Sequence, residues 1–158
     1  MCVSSAALCR VVIRPTLASP PGDAVLNLAE VQLFAASNGT QIDRRLLTPS
    51  LSSVLNWDDV ILASSDCNDG AAETRMFNDA GQNMGLGQVC NSKPVSEDPS
   101  PRLTVSYPCT LGLSKVVVFN RDDDCCRGRI NDFSLDIISG TGAVTHTYQF
   151  QGAAPSYT

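Results

Sequence analysis

The sequence predicts a single all-β domain built as a β-sandwich or jelly roll. Short runs of alternating and β-branched residues recur along the chain, turn-forming residues separate them about every ten positions, and no long amphipathic helix pattern is visible. The length of 158 residues suits one domain with a buried core. An apolar fraction of 43% with 17% charged residues is typical of a globular protein rather than a disordered one.

The predicted strands begin close to the N-terminus, where residues 9–16 are β-branched and alternate. Residues 25–36 have the alanine, glutamate and leucine content of a helix, but their apolar positions alternate and a Ser-Asn-Gly-Thr turn follows, so we expect mainly strand. Further strands are predicted at 60–65, 102–107, 115–120, 133–139 and 144–150. We expect an N-terminal extension over 1–8, the domain over 9–150 and a C-terminal tail over 151–158.

Charge and motif content argue against several functions. A net charge of −5 is opposite in sign to what a nucleic acid partner requires, and the chain has no run of about 18 apolar residues for membrane insertion. The sequence lacks the Gly-x-Ser-x-Gly nucleophile motif and contains one histidine, His146. We therefore expect a binding module and not an enzyme.

Seven cysteines are many for a cytosolic domain of this size. Without a Cys-x-x-Cys pair or a second histidine, a structural zinc site is poorly supported, and disulfides in an oxidising compartment are expected. This predicts an extracellular or cell-surface location. Cys67 and Cys90 bracket the middle of a long irregular stretch, which suggests that they staple it. Cys2, Cys9 and Cys109 remain unassigned.

Two adjacent cysteines, Cys125 and Cys126, follow three aspartates and lie among three arginines in the segment 119–133. Neighbouring Cα atoms are about 3.8 Å apart, less than the roughly 4.4–6.8 Å of an unstrained disulfide. The pair could bridge to form a rigid knob, or each cysteine could pair with a distant partner. The arginines could hold sugar hydroxyls, or they could pair with the aspartates and pin the loop.

The segment 66–81 is crowded with hard oxygen ligands of the kind that calcium prefers. It lacks the EF-hand spacing, so the alternatives are a different calcium loop or a solvated acidic loop. Its candidate ligands include Asp66, Asn68, Asp69, Glu73, Asn78 and Asp79.

Three parts of the chain together point to a known family: "CRVVIRP" with "VLNLAEVQLF", then "CNDG" at 67–70, then "VVVFNRDDDCCRGRINDFSLDI". They resemble the discoidin-like, galactose-binding-like superfamily, and within it the fucolectin (F-type lectin) group and the related modules of green-algal surface proteins. The likeness spans Cys9 to about Phe150. The third segment is the most specific, because a vicinal cysteine pair between two such arginines is rare.

The resemblance implies a discoidin-like jelly-roll β-sandwich that binds saccharide at one end. Arg121 and Arg129 match the family's two sugar-holding arginines. Cys125 and Cys126 match its vicinal disulfide, which packs against the sugar, and Asp124 matches the aspartate of the loop's charge network.

The same resemblance places Asn91 where the family has a sugar-binding histidine, and Asp69 in the family's metal loop, with calcium as the implied structural cofactor. One extra residue separates Arg121 from the cysteine pair. The implied function is a carbohydrate-binding or adhesion module that recognises a glycan or glycoprotein. The alternative is a structural module of the same fold that contacts protein partners in a surface assembly. The absent histidine favours the alternative, and the retained arginine pair opposes it.

Overall fold

The computed structural model describes residues 7–16, 25–57, 60–70, 89–121 and 127–158. Within these ranges the chain is all-β, with short 3-10 turns between strands and no α-helix, which confirms the predicted class. The strands in this part of the chain are β1 Leu8–Pro15, β2 Asn27–Phe34, β3 Thr48–Leu51, β4 Asn56–Trp57, β5 Val60–Ile61, β6 Cys90–Asn91, β7 Leu103–Pro108, β8 Lys115–Asn120, β9 Phe133–Ile138, β10 Val144–Phe150 and β11 Ser156–Tyr157.

The larger sheet contains five antiparallel strands in the order β10-β9-β1-β7-β3. Its central strand β1 is rich in β-branched residues, and Val11 and Ile13 are fully buried. Because side chains alternate along a strand, these two residues face the core together. Strand β10 forms one edge of this sheet and is exposed along almost its whole length.

The smaller sheet contains four antiparallel strands in the order β11-β8-β2-β6, and β4 with β5 forms a separate two-stranded ribbon. Strand β2 pairs with β8 along most of its length, with a register shift between Leu28 and Glu30. The register shift inserts one extra residue into β2, which is the definition of a β-bulge.

The two sheets pack on one hydrophobic core, the arrangement of a β-sandwich. The larger sheet contributes Ile13, Leu103 and Leu135, and the smaller sheet contributes Leu28 and Val118. Phe133 of β9 is fully buried and stacks on Phe150 with ring centroids 4.7 Å apart. The core therefore reaches the edge strand β10 at its Phe150 end.

The structure differs from the predicted strands in several places. The strand predicted at 60–65 ends at Ile61, and a 3-10 turn begins at Ser64. The short strands β3, β4 and β6 lie in segments where no strand was predicted, because four residues or fewer carry too little periodicity to be recognised. Residues 151–158, expected to be a tail, contain β11, which pairs with β8. Tyr157 of β11 belongs to the core and contacts the rings of Phe133 and Phe150.

Two disulfides connect elements that are distant in sequence. Cys67 and Cys90, the pair that the sequence selected as a staple, are bonded with their Cα atoms 5.2 Å apart. Cys9 and Cys109 are bonded with Cα atoms 4.9 Å apart and tie β1 to the residue after β7. Both bonds are consistent with the predicted oxidising location. In the described ranges no helix is long and apolar enough to cross a membrane.

Candidate functional site

Three polar residues meet at one end of the smaller sheet. Asn27 begins β2, Asn91 ends β6, and Arg121 follows β8. The strand order β8-β2-β6 makes these positions neighbours, and Asn27 pairs directly with Asn91 in the ladder. All three are 0% exposed. Polar side chains are seldom buried to this extent unless they are paired, so this cluster is a candidate site.

The three side chains lie on the face of the sheet that is turned away from the main core. Leu28 and Cys90 pair with each other and belong to that core. Asn27 and Asn91 are their sequence neighbours, and side chains alternate between faces, so both point the opposite way. The guanidinium of Arg121 reaches Asn27 and therefore lies on this face as well.

Asn27 links the strands of the cluster by two hydrogen bonds. Its Nδ2 donates to the backbone carbonyl of Cys90 at 3.1 Å, and its Oδ1 accepts from Nη1 of Arg121 at 3.4 Å. Because Nδ2 donates to the Cys90 carbonyl, Oδ1 is the amide atom that faces the guanidinium of Arg121. Asn27 thus positions Arg121. Sequence reasoning missed this residue, because its role depends on the pairing of β2 with β6.

Asn91 has a well-held backbone and an unsatisfied side chain. Its backbone N–H donates to Leu62 at 3.2 Å, and its carbonyl accepts from Leu55 at 2.9 Å. Its side-chain Oδ1 and Nδ2 are both buried and have no hydrogen-bond partner among the described residues. Each unpaired buried group costs about 1–3 kcal/mol, so these two groups are candidates for hydrogen bonds to a ligand.

A second polar group lies further along β2. Leu28 and Val31 both belong to the core although they are three positions apart, because the bulge adds a residue between them. The bulge leaves Glu30 off the core face. This carboxyl group is 1% exposed, and its Oε2 has no hydrogen-bond partner in the part of the chain that the structure describes.

The surroundings of Glu30 alter its protonation. Burial, and then the nearby carboxylate of Asp69, raise the pKa of Glu30 to about 7. Backbone N–H groups of Gly70 and Asp69, together with the guanidinium of Arg44, act in the opposite direction. Glu30 and Asp69 are therefore close enough to repel each other when both are ionised. Glu30 was not selected from the sequence, since nothing in "NLAEVQLF" reveals a bulge.

The disulfide between Cys67 and Cys90 ties the two polar groups together, since Cys90 precedes Asn91 and Cys67 lies two residues before Asp69. Two neighbouring carboxyl groups suit a hard cation, and one of them, Glu30, has a buried oxygen without a hydrogen-bond partner among the described residues. Over the described ranges, no group of three or more His, Cys, Asp or Glu side chains is arranged to hold a metal ion. Glu30 and Asp69 are therefore two of the ligands that a cation here would need, and not a complete set.

The predicted site residues are distributed as follows. Arg121 and Asn91 lie on the same buried face, on either side of Asn27, and Asp69 lies beside Glu30. Arg129 is exposed at the end of a 3-10 turn spanning Arg127–Arg129. Cys125, Cys126 and Asp124 lie outside the described residues, as does most of the oxygen-rich loop from position 71 onward.

Comparison of the chain with protein-family models, with curated proteins and with solved structures finds no match in any of the three.

Proposed function

We propose that this chain is a carbohydrate-binding or adhesion module of an extracellular or cell-surface protein, with the discoidin-like jelly-roll form of the β-sandwich. Recognition takes place where Asn27, Asn91 and Arg121 meet at the end of the smaller sheet. The observation that carries the proposal is the amide of Asn91, whose two polar groups are buried without hydrogen-bond partners among the residues that the structure describes.

A sugar hydroxyl matches the groups that this cluster leaves open. A hydroxyl donates one hydrogen bond and accepts two, so it can donate to Oδ1 of Asn91 and accept from its Nδ2. Arg121 has donors only, so it adds contacts to the lone pairs of neighbouring sugar oxygens. Because Asn91 is fully buried, the proposal requires this face to open when the saccharide enters.

The remaining residues of the proposed site come from the family resemblance. Cys125 and Cys126 form a vicinal disulfide that gives a small apolar shelf for the sugar ring, and Asp124 holds the charge network of their loop. Arg129 supplies a second guanidinium, and its exposure leaves it available to a ligand. Single sites of this size bind sugars weakly, so useful affinity comes from several copies of the module.

Calcium is part of the proposal as a structural ion. Asp69, the residue predicted from the metal loop, is joined by Glu30 as a second carboxylate. Calcium takes six to eight oxygen ligands, and the ion would remove the repulsion between these two groups. It would thereby stabilise the turn that the disulfide connects to Asn91.

A second candidate function has its own observation. Arg121 is 0% exposed and hydrogen-bonded to Asn27, which is the environment of an arginine that supports the fold. In this alternative the chain is a structural or assembly module that contacts protein partners and has lost sugar binding.

Glycan-array binding of the purified chain, with and without calcium, separates the two functions. The Arg129→Ala variant is expected to bind its best glycan about tenfold more weakly, because a charged hydrogen-bond donor is lost, while its unfolding is unchanged. Arg45→Ala is the matched control, since Arg45 is exposed and pairs with Asp43 elsewhere on the surface.

If the wild-type chain binds no glycan on the array, and Arg129→Ala equals it in assembly and stability, the carbohydrate proposal fails. The assembly alternative then stands. Binding that Arg129→Ala weakens and Arg45→Ala leaves intact supports the carbohydrate proposal.

A further inference from the structure

The turn that follows β2 contains an asparagine in the sequence pattern that glycosyl transfer requires. Asn38, Gly39 and Thr40 form the triplet Asn-x-Thr, in which the middle residue is not proline. No other asparagine in the sequence is followed, two positions later, by a serine or a threonine. Such triplets also occur by chance, so the motif needs support from the geometry of the turn.

The backbone holds this turn in a defined shape at the surface. The N–H of Ala35 donates to the Thr40 carbonyl, and the N–H of Gly39 donates to the Ala35 carbonyl, both at 2.9 Å. Gly39 has a φ of +67°, a conformation that favours glycine, and no atom lies within 4 Å of the place that a Cβ would take there. Residues 36–41 are all exposed. The turn therefore has room for a bulky group.

The side chains of Asn38 and Thr40 are arranged so that the amide oxygen is engaged and the amide nitrogen is not. Oδ1 of Asn38 accepts from the Thr40 hydroxyl at 2.8 Å and from the Thr40 N–H at 3.0 Å. Because a backbone N–H can only donate, the atom that accepts from it is the oxygen of the amide. Nδ2 has no hydrogen-bond partner among the described residues. The threonine that the triplet requires thus contacts the asparagine and leaves its nitrogen accessible.

We propose that Asn38 carries an N-linked oligosaccharide, attached while the chain passes through a secretory compartment. The disulfides Cys9–Cys109 and Cys67–Cys90 are consistent with the oxidising lumen in which this modification takes place. The inference shares the extracellular location with the proposed function, but it uses no residue of the proposed saccharide site.

The modification joins Nδ2 of Asn38 to the anomeric carbon of a sugar. The donor is an oligosaccharide linked to a lipid diphosphate. The new N–C bond forms as the bond between the anomeric carbon and the phosphate oxygen breaks. The lipid diphosphate leaves, and Nδ2 gives up one proton to a base of the transferase. The hydrogen bond from the Thr40 hydroxyl to Oδ1 draws electron density from the amide, which makes that proton more acidic.

The oligosaccharide lies at the opposite end of the smaller sheet from the polar cluster. Asn27 begins β2 and Phe34 ends it, so the strand separates these two positions by about 20 Å. Asn38 lies in the turn beyond Phe34. The attached sugars therefore cover the exposed turn and leave the cluster of Asn27, Asn91 and Arg121 uncovered.

The test is secretion of the full chain from a eukaryotic cell behind an added signal peptide, followed by digestion with peptide-N-glycosidase in H₂¹⁸O. We expect an intact mass above that of the polypeptide. The digestion should remove the excess and convert Asn38 to an ¹⁸O-labelled aspartate. A secreted chain that has both disulfides and an unmodified Asn38 would overturn the proposal. Because the result is a mass, it does not depend on whether the chain binds any array glycan.

Variants of the turn show whether the triplet itself is recognised. Thr40→Ala should lose the modification, whereas Thr40→Ser keeps a hydroxyl and should retain it. Ser37→Ala, at an exposed serine of the same turn, is the matched control and should be modified like the wild type. Asn38→Gln provides a second loss variant, in case Thr40→Ala is not secreted. Persistence of the added mass in either loss variant, or its absence in Thr40→Ser, would contradict the assignment.

Discussion

Asn27 links the three strands of the polar cluster, and its loss should be costly. Asn27→Ala removes the hydrogen bond to the Cys90 carbonyl. It also removes one of the acceptors of the buried Arg121 guanidinium. We expect the free energy of unfolding to fall by about 2–3 kcal/mol in urea titrations. Asn38→Ala is the control, because Asn38 is an exposed asparagine that bonds only within its own turn. A smaller loss for Asn27→Ala than for the control would contradict this role.

Because the pKa of Glu30 is raised in the folded chain, the free energy of unfolding should decrease as the pH rises. The pKa of Glu30 is about 7 in the folded chain against an ordinary value of 4.5, so the folded state holds the proton more tightly. The stability from this group is complete below pH 4.5 and is lost as the pH rises through 7. The loss over that window is about 3 kcal/mol. Glu30→Gln removes the dependence.

The measurement is the difference in unfolding free energy between wild type and Glu30→Gln from pH 4.5 to 8, with a chelator present. As the pH rises, the wild type should lose unfolding free energy relative to Glu30→Gln. Parallel curves would mean that Glu30 has an ordinary pKa in the folded chain.

Calcium should act through the same carboxyl group. At pH 7.5 the ion is expected to raise the Tm of the wild type, because it replaces repulsion between Glu30 and Asp69 with coordination. Glu30→Gln and Asp69→Asn should lose most of that rise, and Glu97→Gln, at an exposed carboxylate that pairs with Lys93, should keep it. Equal calcium shifts in all four proteins would show that these carboxylates do not bind the ion.

At the scale of elements, the two disulfides close loops of different length. Cys9 and Cys109 are separated by 100 positions, and Cys67 and Cys90 by 23. A longer loop loses more entropy on closure in the unfolded chain. The bond between Cys9 and Cys109 should therefore stabilise the fold by about 1 kcal/mol more than the bond between Cys67 and Cys90. Urea unfolding of the two double-serine variants measures the difference. The reverse order would mean that contacts in the folded state, and not loop closure in the unfolded chain, determine how much each disulfide stabilises the fold.

Strand β11 is held by the hydroxyl of Tyr157 as well as by its ring. The oxygen accepts from the Ala154 N–H at 2.9 Å and lies within hydrogen-bond distance of the Ile130 and Gly152 carbonyls. Tyr157→Phe keeps the ring contacts and should lower stability by about 1–2 kcal/mol. Tyr148→Phe is the matched control, because Tyr148 is 50% exposed, and it should change little. Equal unfolding curves for Tyr157→Phe and the wild type would show that the hydroxyl does not stabilise β11.

At the scale of the whole molecule, local periodicity was enough to predict the fold class. The strands at 115–120 and 144–150 have the predicted bounds, because each is an unbroken run rich in β-branched and aromatic residues. Which strands pair was not predictable. Strand β1 lies between β7 and β9, partners that come roughly 90 or more residues later, and no local signal encodes that choice. The bond between Cys9 and Cys109 was missed for the same reason.

The candidate site was predictable only in part. Family resemblance selected Arg121 and Asn91, and the structure places both on one buried face. The family resemblance gave no reason to select Asn27, whose role requires the register of β2 with β6. It also gave none to select Glu30, which a bulge turns away from the core. Burial of Arg121 was also not foreseen, since an arginine beside aspartates has the pattern of a solvated loop.

Asn91→Ala tests the central claim most directly, because it separates binding from folding. Its side-chain amide forms no hydrogen bond with the described residues, so its removal should leave the unfolding free energy unchanged or higher, within about 1 kcal/mol. The same variant should lose glycan binding by about tenfold or more, measured by titration with the best array glycan. Unchanged glycan affinity, or a stability loss as large as that of Asn27→Ala, would contradict the account.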